Sequence, residues 1–308
     1  MSRLAPHVTL TAAEFAALRD RRSAIPVDDA VFRFEGRGAI DCLQGLLTND
    51  VARLGIHAAA WGAFLTPKGM IITDAWVIAD AGGSAWVVVP RRARKAAGEL
   101  FQRMVPPRLA RVADRSDAVT VRWLIGATPL PVAGAIVARP QLPAPMTALV
   151  LGEDAIAVDA ALTAGGWIAA PSTWADAARL LLGWPTLGRE IDERTLPQEV
   201  RFDELGAVKY DKGCYTGQET VARVHFRGHA NRVLRGIIWA SGDGPQDDQV
   251  TRSGKLVGTL RTVGMIGDRS IALAVLRREI GAGDSIEAGG ETAAVTELPF
   301  EFSDPAVA

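Results

Sequence analysis

Two tight reversals in quick succession constrain the fold of this chain more than any other feature. Residues 59–65 and 70–79 each read as a strand, and Thr66-Pro67-Lys68-Gly69 between them suits a tight turn. A second reversal at Ala81-Gly82-Gly83 leads into a third strand over 84–89. Strands joined this closely pair antiparallel, because a parallel neighbour needs a long crossover. Elsewhere strands and helices alternate irregularly. Residues 8–20 read as a short strand and a helix, with Thr11 and Glu14 at capping-box spacing. V-F-R-F at 31–34 alternates as a strand does, and a helix follows through Ile40, Leu43, Leu46 and Leu47. A helical pattern covers 91–104, strand-like runs recur near 119–125, 147–151 and 166–169, and Ser172 is placed to cap a helix at 173–183. The pattern predicts an α+β fold with mostly antiparallel sheets, not a doubly wound parallel sheet.

Two composition shifts divide the chain. Five of the seventeen prolines fall within 127–145, which reads as a linker between subdomains or an extended surface excursion. After about residue 232, short strands at 233–239, 255–263, 270–276 and 292–298 alternate with Gly and Asp clusters, the pattern of a small β-barrel or sandwich. The expected domains are residues 1–233 and a C-terminal β-barrel over 234–308.

Composition excludes several functions. A chain of 308 residues, 48% hydrophobic and 22% charged, has ample apolar material for about two packed domains. The net charge of −1 gives no global attraction to nucleic acid or anionic membrane, so any basic site is local. Two cysteines make neither a disulfide framework nor a Cys-rich zinc site. The first ten residues lack a signal-peptide core, and no apolar run reaches the roughly 18 residues of a span. The expectation is a cytoplasmic protein with no membrane partner.

Scarce residues gather in one window. The chain has five lysines, two tyrosines, two cysteines and four histidines. K-Y-D-K-G-C-Y-T-G-Q-E at 209–219 holds two of the lysines, both tyrosines and one cysteine, and two histidines follow at 225 and 229. Thr216 and Glu219 have capping-box spacing, which would start a helix at Thr216 and set Cys214 just before its N-terminus. The helix end and Lys212 would both favour a thiolate at Cys214. Gly213 and Gly217 permit positive φ or close approach. Cys42, among Ile40, Leu43, Leu46 and Leu47, reads as a core cysteine. From Thr220 to Gly242 there is no acidic residue, and Arg223 falls about one helical turn after Glu219, placed to grip an anion. The arginines there lack stacked aromatics, so direct nucleic-acid binding is not expected. His225 and His229 stand four apart, but Gly228 between them weakens the helix and no acidic partner lies nearby, so no metal site is expected.

The string K-G-C-Y-T-G-Q-E at 212–219 resembles the signature of the YgfZ-type proteins, folate-binding relatives of glycine-cleavage T-protein that assist iron–sulfur cluster proteins. L-Q-G-L-L-T-N-D-V at 43–51, L-T-P-K-G-M-I-I-T-D at 65–74 and L-P-Q-E at 196–199 resemble further family motifs in the family's order. The resemblance implies an aminomethyltransferase fold: subdomains around a central hole that binds tetrahydrofolate or a one-carbon-substituted form, with a β-barrel at the C-terminus. Residues 1–233 would form the folate-binding region. Cys214 and Lys212 would carry the reactive chemistry. Asn49, Asp50, Asp74, Tyr215, Gly217, Gln218, Glu219 and Arg223 would contact the folate. The implied role is an accessory factor for maturing or repairing iron–sulfur enzymes, with those enzymes or their assembly machinery as partners and no classical enzymatic activity of its own. The alternatives are a folate-dependent one-carbon transferase, of aminomethyltransferase or demethylase type, and an auxiliary module in tRNA modification. T-protein uses an adjacent Asp pair after the hairpin; Thr73-Asp74 keeps only one carboxylate, which argues against the transferase.

Overall fold

The structure, a computed structural model, describes residues 7–127, 130–240 and 244–301. Pro129 in the proline-rich segment and Gly242 at the end of the acid-free run lie outside the described residues. The chain opens with β1 (Val8–Leu10), α1 (Ala12–Asp20), β2 (Ser23–Val27), β3 (Asp29–Glu35) and α2 (Ala39–Gln44). The expected meander follows as β4 (Ala58–Leu65), β5 (Ile71–Ala79) and β6 (Ala85–Pro90), then α3 (Arg94–Met104) and β7 (Arg111–Asp114). Next come β8 (Thr120–Ile125), β9 (Ala135–Pro140), β10 (Ala148–Gly152), α4 (Ala155–Ala164), β11 (Ile168–Ala169), α5 (Thr173–Leu182) and α6 (Gln218–Arg227). The last six strands are β12 (Arg232–Trp239), β13 (Gln249–Arg252), β14 (Lys255–Ile266), β15 (Arg269–Arg277), β16 (Ser285–Ala288) and β17 (Glu291–Thr296).

These strands make two sheets. Ten run in the order β11–β2–β8–β10–β9–β4–β5–β6–β3–β7. The other sheet runs β1–β14–β13–β16–β17–β12–β15, and β15 also pairs with β14, so β12 to β17 close into a six-stranded barrel. Closure removes the unpaired edges that an open sheet of short strands would expose. Among the described pairings only β1–β14, β2–β11 and β4–β9 are parallel. The α+β class with mostly antiparallel sheets is therefore what the chain adopts.

Local signals held where the chemistry is local. Thr11 accepts from the Glu14 N–H at 3.2 Å while Glu14 accepts from the Thr11 N–H at 2.8 Å, the reciprocal capping box. Other expectations are corrected. The proline-rich segment contains β9, whose Ala-Ile-Val-Ala run pairs with β10 and whose end lies parallel to β4. Pro140 is tolerated there because it closes the strand. Ser172 makes no side-chain cap, and α2 stops at Gln44, short of Leu47. Helix α4 and strands β2, β7, β13 and β16 escaped the sequence reading.

One face of the meander packs with α2 and α3 around Phe32, Phe34, Phe64 and Phe101, whose rings meet edge to face. The other face carries Trp61, Trp76 and Ile78 into a core shared with α5 and with Leu234, Ile271 and Leu273 of the barrel. Arg201 fixes this junction. Its buried guanidinium donates to the carbonyls of Leu182 and Gly183 at the end of α5 (2.8 and 2.9 Å) and of Leu298 beyond β17 (3.1 Å). Removing it leaves three carbonyls without that donor. Arg201→Met is expected to cost about 3 kcal/mol in urea denaturation. A loss below about 1 kcal/mol would show that water replaces the guanidinium.

Candidate functional site

The site begins at the turn following α2. A helix leaves its last carbonyls without partners, and in a six-residue helix that is most of them. Lys212 supplies the donors. Its Nζ lies 2.7 Å from Gln44 O, 2.6 Å from Leu47 O and 2.8 Å from Asn49 O. Burial pushes this ammonium down to about 8, and the nearby Asp50 carboxylate pulls the other way. The turn that it gathers is the T-N-D segment. Thr48 donates to Ala207 O at 2.7 Å and accepts from the Ala63 N–H at 2.9 Å. Asn49 donates to Trp61 O at 2.7 Å and to Gly206 O at 3.1 Å. Asp50 accepts from the Gln44 amide at 3.1 Å and from the Ala52 N–H at 3.1 Å, and pairs with Arg53. The motif thereby locks β4 to the segment around 206–209.

The glycine motifs meet the same way. Gly217 (φ 83°) and Gly69 (φ 83°) occupy the left-handed region that side chains avoid. A Cβ on Gly217 would stand 2.5 Å from Thr66 O, and one on Gly69 would stand 2.8 Å from the Thr220 Cβ. The T-P-K-G turn and the start of α6 thus touch backbone to backbone. The three segments 43–50, 65–74 and 212–219 converge, as their motifs require.

Beside them lies a cavity of about 350 Å³, walled by Asn49, Trp61, Trp76, Trp184, Leu205 and Lys209, with Gln141 and Leu142 also contributing. Trp61 and Trp76 stand opposite each other in the β4–β5 register. Trp184 lies parallel to Trp76 (5° between planes, centroids 6.0 Å apart) and 4.4 Å from Trp61. Phe202 backs Trp61 at 4.3 Å. The buried Trp61 Nε1–H makes no close hydrogen bond but faces the Asp74 carboxyl and favours its charged form.

Asp74 anchors the segment just after Trp184 and is not among the residues lining the cavity. Its Oδ1 accepts from the Leu187 N–H at 2.9 Å and its Oδ2 from the Thr186 hydroxyl at 3.5 Å. Glu190 continues the anchor by accepting from the Thr186 N–H and the Thr262 hydroxyl of the barrel. Thr73, the other half of the expected pair, is fully buried and donates to Asp74 O.

No family model matches the chain. Along nearly its whole length it is 24% identical to the tRNA-modifying protein YgfZ of Enterobacter sp. (strain 638), covering 94% of this chain and 96% of that one. The match to the YgfZ protein of Edwardsiella ictaluri is 29% over 180 residues, 57% of this chain. With the Cronobacter sakazakii protein it is 29% over 135 residues, 40% of this chain. In these two matches the chain spans less than half of the relatives' own length (47% and 40%). The glycine cleavage system aminomethyltransferase T of Bartonella henselae superposes with a TM-score of 0.77 at 16% identity, over 94% of this chain and 88% of that one. The chain is similar to the YgfZ proteins and has the aminomethyltransferase T fold.

Within this site the expected residues divide. Asn49 lines the cavity. Asp50, Asp74, Tyr215, Gly217, Gln218, Glu219 and Arg223 are not among its lining residues. Lys212, expected to act on the Cys214 thiol, gives its hydrogen bonds to the carbonyls of Gln44, Leu47 and Asn49. The capping box at Thr216 does not form. The Thr216 N–H is taken by Gly45 O at 3.1 Å, and the Gln218 amide oxygen accepts from the Tyr215 N–H at 3.1 Å, so α6 starts after Gly217 with no side-chain cap. Cys214 is exposed on the loop four residues before α6, and Tyr215 is buried. Glu219 and Arg223 are exposed on α6. The tryptophan wall, Lys209 and Gln141 escaped the sequence reading; the one available signal was that the Thr66–Gly69 turn sets Trp61 against Trp76.

Burial raises the Asp74 carboxyl above the usual carboxylate range, more than the Leu187 N–H and the Arg179 charge lower it. The native state keeps this proton where the unfolded chain releases it. The stability it contributes is fully present below the unfolded value of 3.8 and is lost as pH rises through the higher native value. Asp74→Asn is therefore expected to flatten the fall in stability above about pH 4, read by denaturant titration at several pH values. Parallel curves for the two proteins would show an ordinary carboxyl.

Proposed function

We propose that the cavity takes a reduced folate, tetrahydrofolate or a one-carbon-substituted form, and that the protein is a cytoplasmic, folate-binding accessory factor for iron–sulfur enzymes. The observation that carries the folate reading is the cavity wall, where Trp61, Trp76 and Trp184 stand together around about 350 Å³. A pteridine ring offers a flat face for the indoles. About 350 Å³ falls within the usual range of small-molecule sites. Lys209 supplies a cation, and Gln141 an amide, for the polar end of the molecule. A bound reduced folate would supply or accept a one-carbon unit. Asp74 is committed to Leu187 and Thr186, which favours the accessory role over the transferase. An exposed thiol ahead of α6 suits an encounter with a partner's cluster or its precursor. The names of the YgfZ relatives support a setting in tRNA modification. No helix among the described residues is long and apolar enough to cross a membrane.

Two measurements test this reading. Tetrahydrofolate or 5-formyltetrahydrofolate should raise the thermal midpoint and quench tryptophan fluorescence, since a ligand of the folded state stabilises it by about 2.7 kcal/mol at 100 times its Kd. Trp184→Ala should weaken binding at least about tenfold, as the loss of one stacked aromatic does. Cys214→Ala should leave binding unchanged. An absent shift with every reduced folate overturns the ligand assignment. Separately, iodoacetamide near neutral pH should label Cys214 well before Cys42, which is half-buried and whose thiol burial pushes up. Equal labelling rates would remove Cys214 as the reactive group.

A further inference from the structure

A second cleft, sharing no lining residue with the tryptophan cavity, opens where the end of α6 meets β12 and β15. It encloses about 570 Å³ and is lined by His229, Asn231, Arg232, Arg277, Arg278 and Glu279. Strand pairing sets Arg232 directly opposite Arg277, and the Arg278 N–H reaches Asn231 O at 2.9 Å. Residues far apart in sequence are thus brought into one cationic lining.

Carboxylates offset part of that charge and leave Arg278 free among the described residues. Glu199 holds Arg232 through Nε and Nη2 at 2.9 and 3.2 Å, fixing the guanidinium in place. Glu279 stands 4.0 Å from Arg277, beyond hydrogen-bond reach. Asp203 is occupied by the Tyr210 hydroxyl at 2.7 Å and by His225 at 3.2 Å. Arg278, Arg223 and Arg227 have no side-chain partner among the described residues. With a net charge of −1 overall, this is a local field and not a general one.

The adjoining helix adds an aromatic. Phe226 is 67% exposed, yet its ring is braced edge-on by Tyr210 (5.5 Å) and His225 (4.7 Å), themselves stacked at 3.8 Å. Arg223 and Arg227 flank it on α6. A braced, exposed ring one helical turn from Arg223 suits a nucleobase beside its phosphates. An acidic peptide would use the charge and leave the ring unused.

We propose that this cleft and the exposed face of α6 bind single-stranded RNA, with Arg277 and Arg278 on phosphates and Phe226 stacked on a base. The absence of stacked aromatics, which argued against nucleic acid from sequence, is met by Phe226. The inference stands independently of the folate reading. Fluorescence anisotropy of a labelled mixed-sequence RNA dodecamer, titrated over a salt series beside a dodecaglutamate peptide, tests it on the full chain. RNA should bind with a steep salt dependence. Arg277→Ala with Arg278→Ala should reduce the log–log salt slope by about 1.4, at about 0.7 per phosphate on a single strand. Phe226→Ala should weaken binding about tenfold with the slope kept. Unfolding midpoints separate these effects from misfolding, and Arg278→Ala alone serves if the double variant is unstable. No RNA binding, affinities unmoved by the substitutions, or dodecaglutamate bound as tightly with the same losses overturns the proposal; the last outcome assigns the cleft to an acidic protein segment.

Discussion

One ammonium holds the site together. Lys212 gathers the carbonyls of Gln44, Leu47 and Asn49, and that turn then positions Thr48 and Asn49 against β4 and the 206–209 segment. The geometry explains the residue type. Three carbonyls around one point suit a compact group with three donors; a planar guanidinium spreads its donors along a fork. In a chain that has 29 arginines to five lysines, this place keeps a lysine. The scarcity that marks the window thus has a physical basis in the architecture of the turn.

Legibility followed the range of the interactions. The Thr11–Glu14 box and the hairpin turns were readable because each is decided within four residues. The start of α6 was not, because the N–H of Thr216 is claimed by Gly45, far away in sequence. Strand β9 was hidden behind its prolines, and its end is secured by Arg139 and Gln141 donating to His57 O and Ala59 O. The cavity wall was the least legible part. Trp61, Trp76, Trp184 and Phe202 share no spacing, and only the folded register and the Asp74–Leu187 contact bring them together.

Two buried carboxyls brace the segment that follows Trp184. Asp74 and Glu190 both have raised affinity for protons because they are buried, and both tie the stretch from Trp184 to Asp192 between the large sheet and the barrel. Arg261 adds a hydrogen bond to Asp192 at 3.1 Å from the barrel side. The same fold that supports transfer chemistry elsewhere here uses its polar groups to set the shape of an aromatic pocket.

The short first strand has a consequence for how the molecule is made. Residues 8–10 lie parallel to residues 264–266, and His7 accepts from the Val263 N–H at 3.0 Å. Contacts of such sequence separation carry a large loop-closure entropy and slow folding. On a ribosome, the first strand emerges long before its partner exists. Valine and leucine destined for the core must wait, exposed, while the ten-stranded sheet assembles. Burial of these residues therefore waits on the synthesis of the barrel strands.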